Sequence, residues 1–267
     1  MGIYTCNAYL TSRVDILKAT WLRQPWPPHV TLRFFLAANG PTDRVDGENV
    51  WLGCQDGYRH LARKTWRMFR FSLANDDFDR FVKIDDDVYV PSLSSLLEDL
   101  SSADYAGSRK WGIPDRTWHY SRVDAAFREP VPASHFPPWF MSGSVYSLSR
   151  RLMEAMVSLP EESIPHLSAP VGYEDVMVGW LVNRLMTEKG DVFSVRHQPR
   201  VRSTIHCGVV GSAARITSSA ALFHVKPRHM RVISRLQEKS PAVLRILGHA
   251  WLSWRRASRA LQSGANR

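Results

Sequence analysis

Three adjacent aspartates, Asp85, Asp86 and Asp87, interrupt an otherwise β-branched and aromatic stretch, FVKIDDDVYV at residues 81–90. Neighbouring carboxylates repel one another, so a buried strand does not carry three of them without a compensating charge. Carboxylate oxygens are ligands that Mg²⁺ and Mn²⁺ favour, and an ion held at the end of a strand can bind a diphosphate. The alternative interpretation of these residues alone is a solvated acidic turn. The cluster therefore predicts either a metal-dependent nucleotide site or an acidic surface turn.

The elements around this cluster alternate between strands and helices, which predicts a layered α/β sheet. Strands are predicted at residues 2–10, 30–37, 80–84, 103–108, 139–149, 192–197 and 221–225. Helices are predicted at residues 11–23, 57–74, 91–100, 150–159 and 173–187. Residues 37–48 are a predicted loop, and residues 110–138 a long loop that acts as a lid or acceptor wall. We find no repeat and no linker, so one domain is expected over residues 1–238, followed by a tail at 239–267.

The composition bounds the class of protein. The 267 residues are 44% hydrophobic, which excludes a disordered chain, and their net charge of +10 predicts an anionic partner such as a nucleotide, a nucleic acid or an acidic membrane. Three cysteines, Cys6, Cys54 and Cys207, lie far apart without metal-ligand spacing. This pattern favours free thiols in a reducing compartment over a single disulfide. No window approaches the roughly 18 consecutive apolar residues of a membrane span.

The tail has a different pattern from the rest of the chain. Within residues 241–262, leucines and tryptophans recur at 3–4 spacing on one helical face, and arginines occupy the other. A basic helix with tryptophans on its apolar side is typical of peripheral binding to an anionic membrane. The alternative is an ordinary helix that packs on the core or on a second subunit.

Several separate motifs share the order found in one enzyme family. They are SRVDILKATW at 12–21, DGYRHLARKT at 56–65, the Asp85–Asp87 cluster, FPPWFMSGSVYSLS at 136–149 with GYEDVMVG at 172–179, and FHVKPRHM at 223–230. Together they resemble the β-1,3-galactosyltransferase-like and Fringe-like enzymes of glycosyltransferase family 31. The resemblance spans roughly residues 2–230. It implies a GT-A-type nucleotide-diphospho-sugar transferase fold, with a mixed central sheet flanked by helices in a single domain.

The resemblance also implies a reaction, the inverting transfer of galactose or an N-acetylhexosamine from a UDP-sugar to a saccharide hydroxyl, with a β-1,3 linkage. Asp87 and His224 would ligate Mn²⁺ or Mg²⁺, because carboxylate oxygen and neutral imidazole both suit such ions. Asp85 and Asp86 would contact the ribose or uridine and the waters around the metal. Mn²⁺ or Mg²⁺ is the expected cofactor.

Further roles follow from the same resemblance. Asp175 is the candidate general base, because direct displacement at an anomeric carbon requires a carboxylate that accepts the acceptor's proton. Glu174 would orient hydroxyls of the acceptor or sugar. At a helix start these two acids are also ordinary first-turn residues. Positive charge near the pyrophosphate would come from Arg13 or Lys83.

The acceptor side of the site is predicted from the strand at 139–149. Trp139 and Phe140 can stack on a sugar face, with core packing as the alternative, and Gly143 marks a close approach of the backbone. Here the chain departs from the family pattern, since Phe136 and Trp139 replace tyrosines and Ser144 replaces the second glycine. These changes leave the acceptor open.

Two functions from other classes also remain open. Asp85-x-Asp87 weakly imitates the nucleophile motif of haloacid-dehalogenase-like phosphatases, and the positive charge allows a non-enzymatic nucleic-acid-binding protein. No nucleic acid is expected if the transferase interpretation holds. Since no signal anchor precedes the first strand, we expect a cytoplasmic enzyme or one peripheral on the cytoplasmic membrane face, with a lipid-linked saccharide as one candidate acceptor. The Golgi lumen is expected instead if the natural protein has an anchor ahead of residue 1. Oligomeric state is left open by the sequence.

Overall fold

A computed structural model describes residues 1–112, 121–127, 132–169, 171–188, 190, 192–203, 216, 219 and 221–239. The strands are β1 Gly2–Tyr4, β2 Arg33–Ala37, β3 Arg44–Asp46, β4 Asn49–Leu52, β5 Arg80–Asp85, β6 Tyr105–Trp111, β7 Trp139–Ser149, β8 Val195–His197, β9 Val201–Ser203 and β10 Ala221–Phe223. The α-helices are α1 Asp15–Ala19, α2 Leu61–Asn75, α3 Leu93–Ser101, α4 Arg150–Val157, α5 Pro165–Ser168, α6 Glu174–Glu188 and α7 Pro227–Lys239.

Eight of these strands form one mixed sheet in the order β3-β4-β2-β1-β5-β7-β6-β8. The middle of the sheet is parallel from β4 through β2 and β1 to β5. The long strand β7 then runs antiparallel to both β5 and β6. Strands β9 and β10 form a separate parallel pair, which joins the segment after β5 through a bridge between Tyr89 and Leu222. The predicted mixed central sheet is confirmed.

Helices cover both faces of the sheet. Alternate residues of β1, β2 and β5 point to opposite sides, as strand geometry requires. One face packs against α1, α3 and α7 and the other against α2, α4 and α6, and each interface is a continuous apolar core. Since both faces of the central strands are buried, these strands are apolar along nearly their whole length, as in β2.

The predicted boundaries hold best where the pattern is strongest. Strand β7 occupies the predicted residues, Trp139–Ser149. The first predicted strand was too long, because β1 ends at Tyr4 and the chain then coils through a π-helical turn at Leu10–Val14. The loop predicted at 37–48 was also wrong, since it contains β3 and leads into β4. Helix α7 was not predicted.

Some predictions concern residues outside the described part of the chain. The basic tail helix at 241–262, with all but the first residue of the predicted tail, and Cys207 lie there. Cys6 and Cys54 are free thiols. Within the described residues, no helix is long and apolar enough to cross a membrane.

Candidate active site

The three aspartates begin where β5 ends, next to the end of β1. Tyr4 of β1 pairs with Asp85 in the parallel register, and the Asp86 N–H donates to the Tyr4 carbonyl at 3.2 Å. Thr5 follows β1, and its hydroxyl donates to Asp86 Oδ2 at 2.7 Å. The carboxyl ends of parallel strands are where open α/β sheets bind their ligands. The aspartates therefore lie at the edge of the sheet that favours a ligand site.

Different cations neutralise the first two aspartates. Arg13, carried by the π-helical turn, pairs with Asp86 at 2.6 Å, and Lys83 pairs with Asp85 at 2.5 Å. Burial raises the pKa of Asp86, while the charge of Arg13 and the Thr5 hydroxyl oppose that rise. Asp86 is only 5% exposed. A solvated acidic turn is therefore wrong for this carboxylate, which is buried and ion-paired.

Lys83, predicted as a cation near the pyrophosphate, is enclosed by the protein. Its side chain is 1% exposed, and its ammonium donates to Asp85, to Glu174 Oε1 at 2.8 Å and to the Gly143 carbonyl. Burial lowers the pKa of Lys83, but the charges of Asp85 and Glu174 outweigh burial and raise it. Lys83 therefore stays charged and joins β5, β7 and α6.

Glu174 also points inward, in contrast to the predicted contact with acceptor hydroxyls. Its Oε1 accepts from Lys83, and its Oε2 accepts from the Tyr146 hydroxyl at 3.1 Å and from Thr65 at 3.3 Å. The residue is 6% exposed. Both carboxylate oxygens are thus satisfied within the protein, and Glu174 fixes the start of α6.

Asp175, the next residue, is held by the backbone of Gly143. The Gly143 N–H donates to Asp175 Oδ2 at 3.0 Å, and the Val176 N–H donates to Oδ1 at 2.9 Å. Burial, with repulsion from Glu174, raises the pKa of Asp175 to about 6, against these hydrogen bonds and Lys83. A Cβ at position 143 would overlap Glu174 Oε1, so only glycine allows β7 to approach both acids.

Asp87 and His224 form the candidate metal pair. The Val225 N–H donates to the Asp87 carbonyl at 2.9 Å, and His224 takes a left-handed backbone conformation with φ of 59°. Burial lowers the pKa of His224, although Asp87 opposes this shift. A neutral imidazole beside a carboxylate is a donor set that suits Mn²⁺.

The protein alone would supply only part of a coordination shell. No group of three or more His, Cys, Asp or Glu side chains able to hold a metal ion occurs among the residues that the structure describes. In that part of the chain, Asp87 and His224 offer one carboxylate and one imidazole to a divalent ion.

The two predicted acceptor aromatics differ in exposure. Phe140 is 4% exposed and packs in a small apolar cluster with Tyr173 and Val176, so the core alternative is correct for Phe140. Trp139 is half-buried, and its ring lies 5.1 Å from the Arg109 guanidinium. Trp139 remains a candidate for contact with a sugar.

Four side chains of this site were not predicted as site residues. Thr5 binds Asp86, and Thr65 and Tyr146 bind Glu174. The charge of Lys110 adds to burial, the larger cause, in lowering the pKa of His224. Lys110 could have been found from the sequence, since it begins the loop that was predicted to be functional. The others belong to ordinary strand and helix patterns and are united only by the fold.

Comparison with known proteins places these residues in a family. The galactosyltransferase family model matches residues 13–191, which include Arg13, the three aspartates, Gly143 and Asp175 but not His224. A UDP-GalNAc:β-1,3-N-acetylgalactosaminyltransferase 2 of Danio rerio is 30% identical over 136 residues, which are 51% of this chain and 26% of that protein. The chain thus spans about a quarter of the length of this curated relative.

Solved structures give a weaker likeness. The galactosyltransferase LgtC in complex with donor and acceptor sugar analogues aligns over 88% of this chain and 95% of LgtC, at 13% identity and a TM-score of 0.45. An active-site mutant of LgtC aligns over 87% of this chain and 95% of LgtC, at 12% identity and the same TM-score. Since the family model covers more than half of the chain and includes the aspartate cluster and the Glu174–Asp175 pair, the chain belongs to the galactosyltransferase family.

Proposed function

We propose that this protein is an inverting glycosyltransferase that moves galactose or an N-acetylhexosamine from a UDP-sugar to a saccharide hydroxyl, forming a β-1,3 linkage. The observation that carries the proposal is the position of Gly143. Its carbonyl accepts from Lys83, which holds Asp85, and its N–H donates to Asp175. One residue of β7 therefore links the nucleotide side of the site to the candidate base.

Asp175 is the residue best suited to accept the proton of the acceptor hydroxyl. A general base works best when its pKa lies near the operating pH, and the pKa of Asp175 is raised to about 6 by burial and by Glu174. The Gly143 and Val176 N–H groups fix the orientation of its carboxylate. Glu174 and Lys83 act as positioning residues beneath it.

Asp87 and His224 would hold the divalent ion. That ion, Mn²⁺ or Mg²⁺, would supply the positive charge that stabilises a departing diphosphate. Arg13 pairs with Asp86 and holds its carboxylate in place, and Asp85 and Asp86 would meet the ribose or uridine. The donor is either a UDP-galactose or a UDP-N-acetylhexosamine, and the name of the fish relative favours UDP-GalNAc.

The setting of the enzyme is part of the proposal. A lipid-linked acceptor, peripheral membrane contact through residues 241–262 and a cytoplasmic or Golgi location remain predictions from the sequence. The transferase proposal does not depend on any of them.

Calorimetric titration of UDP tests the nucleotide site. We expect wild-type protein to bind UDP with Mn²⁺, and this binding to be lost with EDTA or in Asp87→Ala. Asp46→Ala is the matched control, because Asp46 is an exposed carboxylate on the edge strand β3. UDP binding that is indifferent to both the metal and Asp87 would place the metal site elsewhere. Absence of UDP binding under every condition would refute the transferase proposal.

A further inference from the structure

An open cleft of about 1000 Å³ lies on the outer side of α2, away from the sheet. It is lined by residues 53–55, residues 59–60, one face of α2, residues 161–162 and residues 166–169. Neither the three aspartates nor the candidate base is among the residues that line this cleft.

Arginines dominate the lining of the cleft. Arg59, Arg63, Arg67 and Arg70 follow one another at helical spacing, against the two carboxylates of residues 161 and 162. At 1.5 Å per helical residue, the row from Arg59 to Arg70 is about 16 Å long. A row of this length can contact several successive units of an extended ligand.

The arginines differ in the partners that the protein itself gives to their guanidinium groups. Arg70 pairs with Glu161, and Arg67 donates to the carbonyls of Gly53 and Pro41. Arg63 is exposed and has neither an ion pair nor a hydrogen bond within the described part of the chain. The middle of the row therefore carries positive charge that the protein does not neutralise.

One end of the row contacts the segment that leads into α6, the helix that carries the candidate base. The Gly172 N–H, two residues before α6, donates to the Arg59 carbonyl at 3.2 Å. The preceding residue, Tyr58, packs with Tyr173 and Val176. Tyr58 precedes Arg59 of the cleft lining, and burial, followed by the negative charge of Asp175, raises the pKa of Tyr58. A saccharide whose terminal hydroxyl reaches Asp175 could extend its remaining units along the arginines.

We propose that this cleft binds the acceptor, and that the acceptor is an acidic saccharide bearing carboxylates or sulfates on units behind the one that is glycosylated. Guanidinium groups bind such oxyanions with paired, charge-assisted hydrogen bonds. The inference rests on the proposed transferase function and adds the chemical class of the acceptor. It assigns Arg63 to acceptor recognition.

Calorimetry with two matched probes tests the inference. The acidic probe is a hyaluronan tetrasaccharide, and the neutral probe is the same tetrasaccharide with its carboxylates reduced to alcohols. Both are titrated into protein saturated with UDP and Mn²⁺. We expect tighter binding of the acidic probe, and a loss of about tenfold or more in that affinity in Arg63→Glu, because a nearby charge is reversed. Affinity for the neutral probe and for UDP should not change.

Arg235→Glu is the matched control, because Arg235 is an exposed arginine on α7, outside the cleft, and the variant makes the same change of net charge. Equal binding of the two probes, or equal effects of the two variants, would overturn the inference. Absence of binding by either tetrasaccharide, with Mn²⁺-dependent UDP binding intact, would overturn it and leave the transferase proposal standing. Loss of UDP binding in wild type would refute both.

Discussion

Replacing Gly143 by alanine should disturb the candidate base while leaving the fold in place. The new Cβ would approach Glu174 Oε1 more closely than the 3.0 Å that real Cβ atoms respect, and it would stand 3.2 Å from Asp175 Cβ. Gly143 lies inside β7, where alanine by itself is the better residue. The effect of Gly143→Ala should therefore come from the two acids and not from the strand.

The size of the effect follows from these contacts. Glu174 Oε1 has to withdraw from Lys83, which weakens one charge-assisted hydrogen bond worth about 1.5–3 kcal/mol. Alanine offsets roughly 0.5–1 kcal/mol of this loss, because glycine inside a strand loses more conformational freedom on folding. We expect a net loss of about 1–2 kcal/mol in the free energy of unfolding. Misplacement by about 1 Å can lower a rate by about 100-fold, so a smaller displacement of Asp175 should lower kcat between about tenfold and 100-fold.

Urea unfolding and a sugar-transfer assay measure the two effects. Gly40→Ala is the matched control, because no atom lies within 4 Å of a Cβ at that position and its φ is not positive. The control should change stability by less than about 0.5 kcal/mol and leave kcat unchanged. If Gly143→Ala keeps both wild-type stability and wild-type kcat, then Gly143 does not position Glu174 and Asp175. The proposal that Gly143 links the nucleotide side of the site to the candidate base would then be refuted.

Two further predictions follow from pKa shifts. If Asp175 is the base, kcat/KM should rise about tenfold per pH unit up to a pH of about 6 and then level off. Asp175→Asn should lower kcat by about 10²–10⁴-fold and remove this pH dependence while UDP binding persists, whereas an unchanged profile in the variant would exclude the role. Burial raises the pKa of Asp104, but hydrogen bonds from Arg151, Ser149 and Ser194 outweigh burial and lower it below its ordinary range. The stabilisation from ionised Asp104 should therefore be complete above the pKa of the unfolded chain, about 3.9, and decline below it. Asp104→Asn should lower the free energy of unfolding by roughly 2 kcal/mol at pH 7 and by less at pH 3.5. Equal losses at both pH values in urea unfolding would contradict this account.

The nucleotide side of the site is largely readable from sequence. The Asp85–Asp87 cluster, the arginine at position 13 and the Glu174–Asp175 pair are short motifs in a fixed order, and the family match covers all of them. Strand β7 was also predictable, because an apolar run of this length between turn and helix signals has few other structures. These features are local, so the sequence alone determines them.

Several decisive features are not local. Lys83 looks like a cation available to a phosphate, yet β7 and α6 enclose it and turn it into a link between Asp85 and Glu174. The strands β3 and β4 are short and bounded by turn residues, so their own propensity does not reveal them. Pairing of β4 with β2, and of β3 with β4, stabilises them.

The row of arginines from Arg59 to Arg70 likewise gains its setting only from the tertiary structure. From sequence, Arg59, Arg63, Arg67 and Arg70 are an ordinary solvated helix face. The packing of residues 161–162 and 166–169 against α2 turns that face into a cleft, and the Arg59 end of the cleft contacts the segment that leads into α6 through Gly172. The sequence thus determined which residues could do chemistry. Only the tertiary structure decided which charges are neutralised inside the protein and which remain for a ligand, because burial and pairing depend on contacts between segments that are distant along the chain.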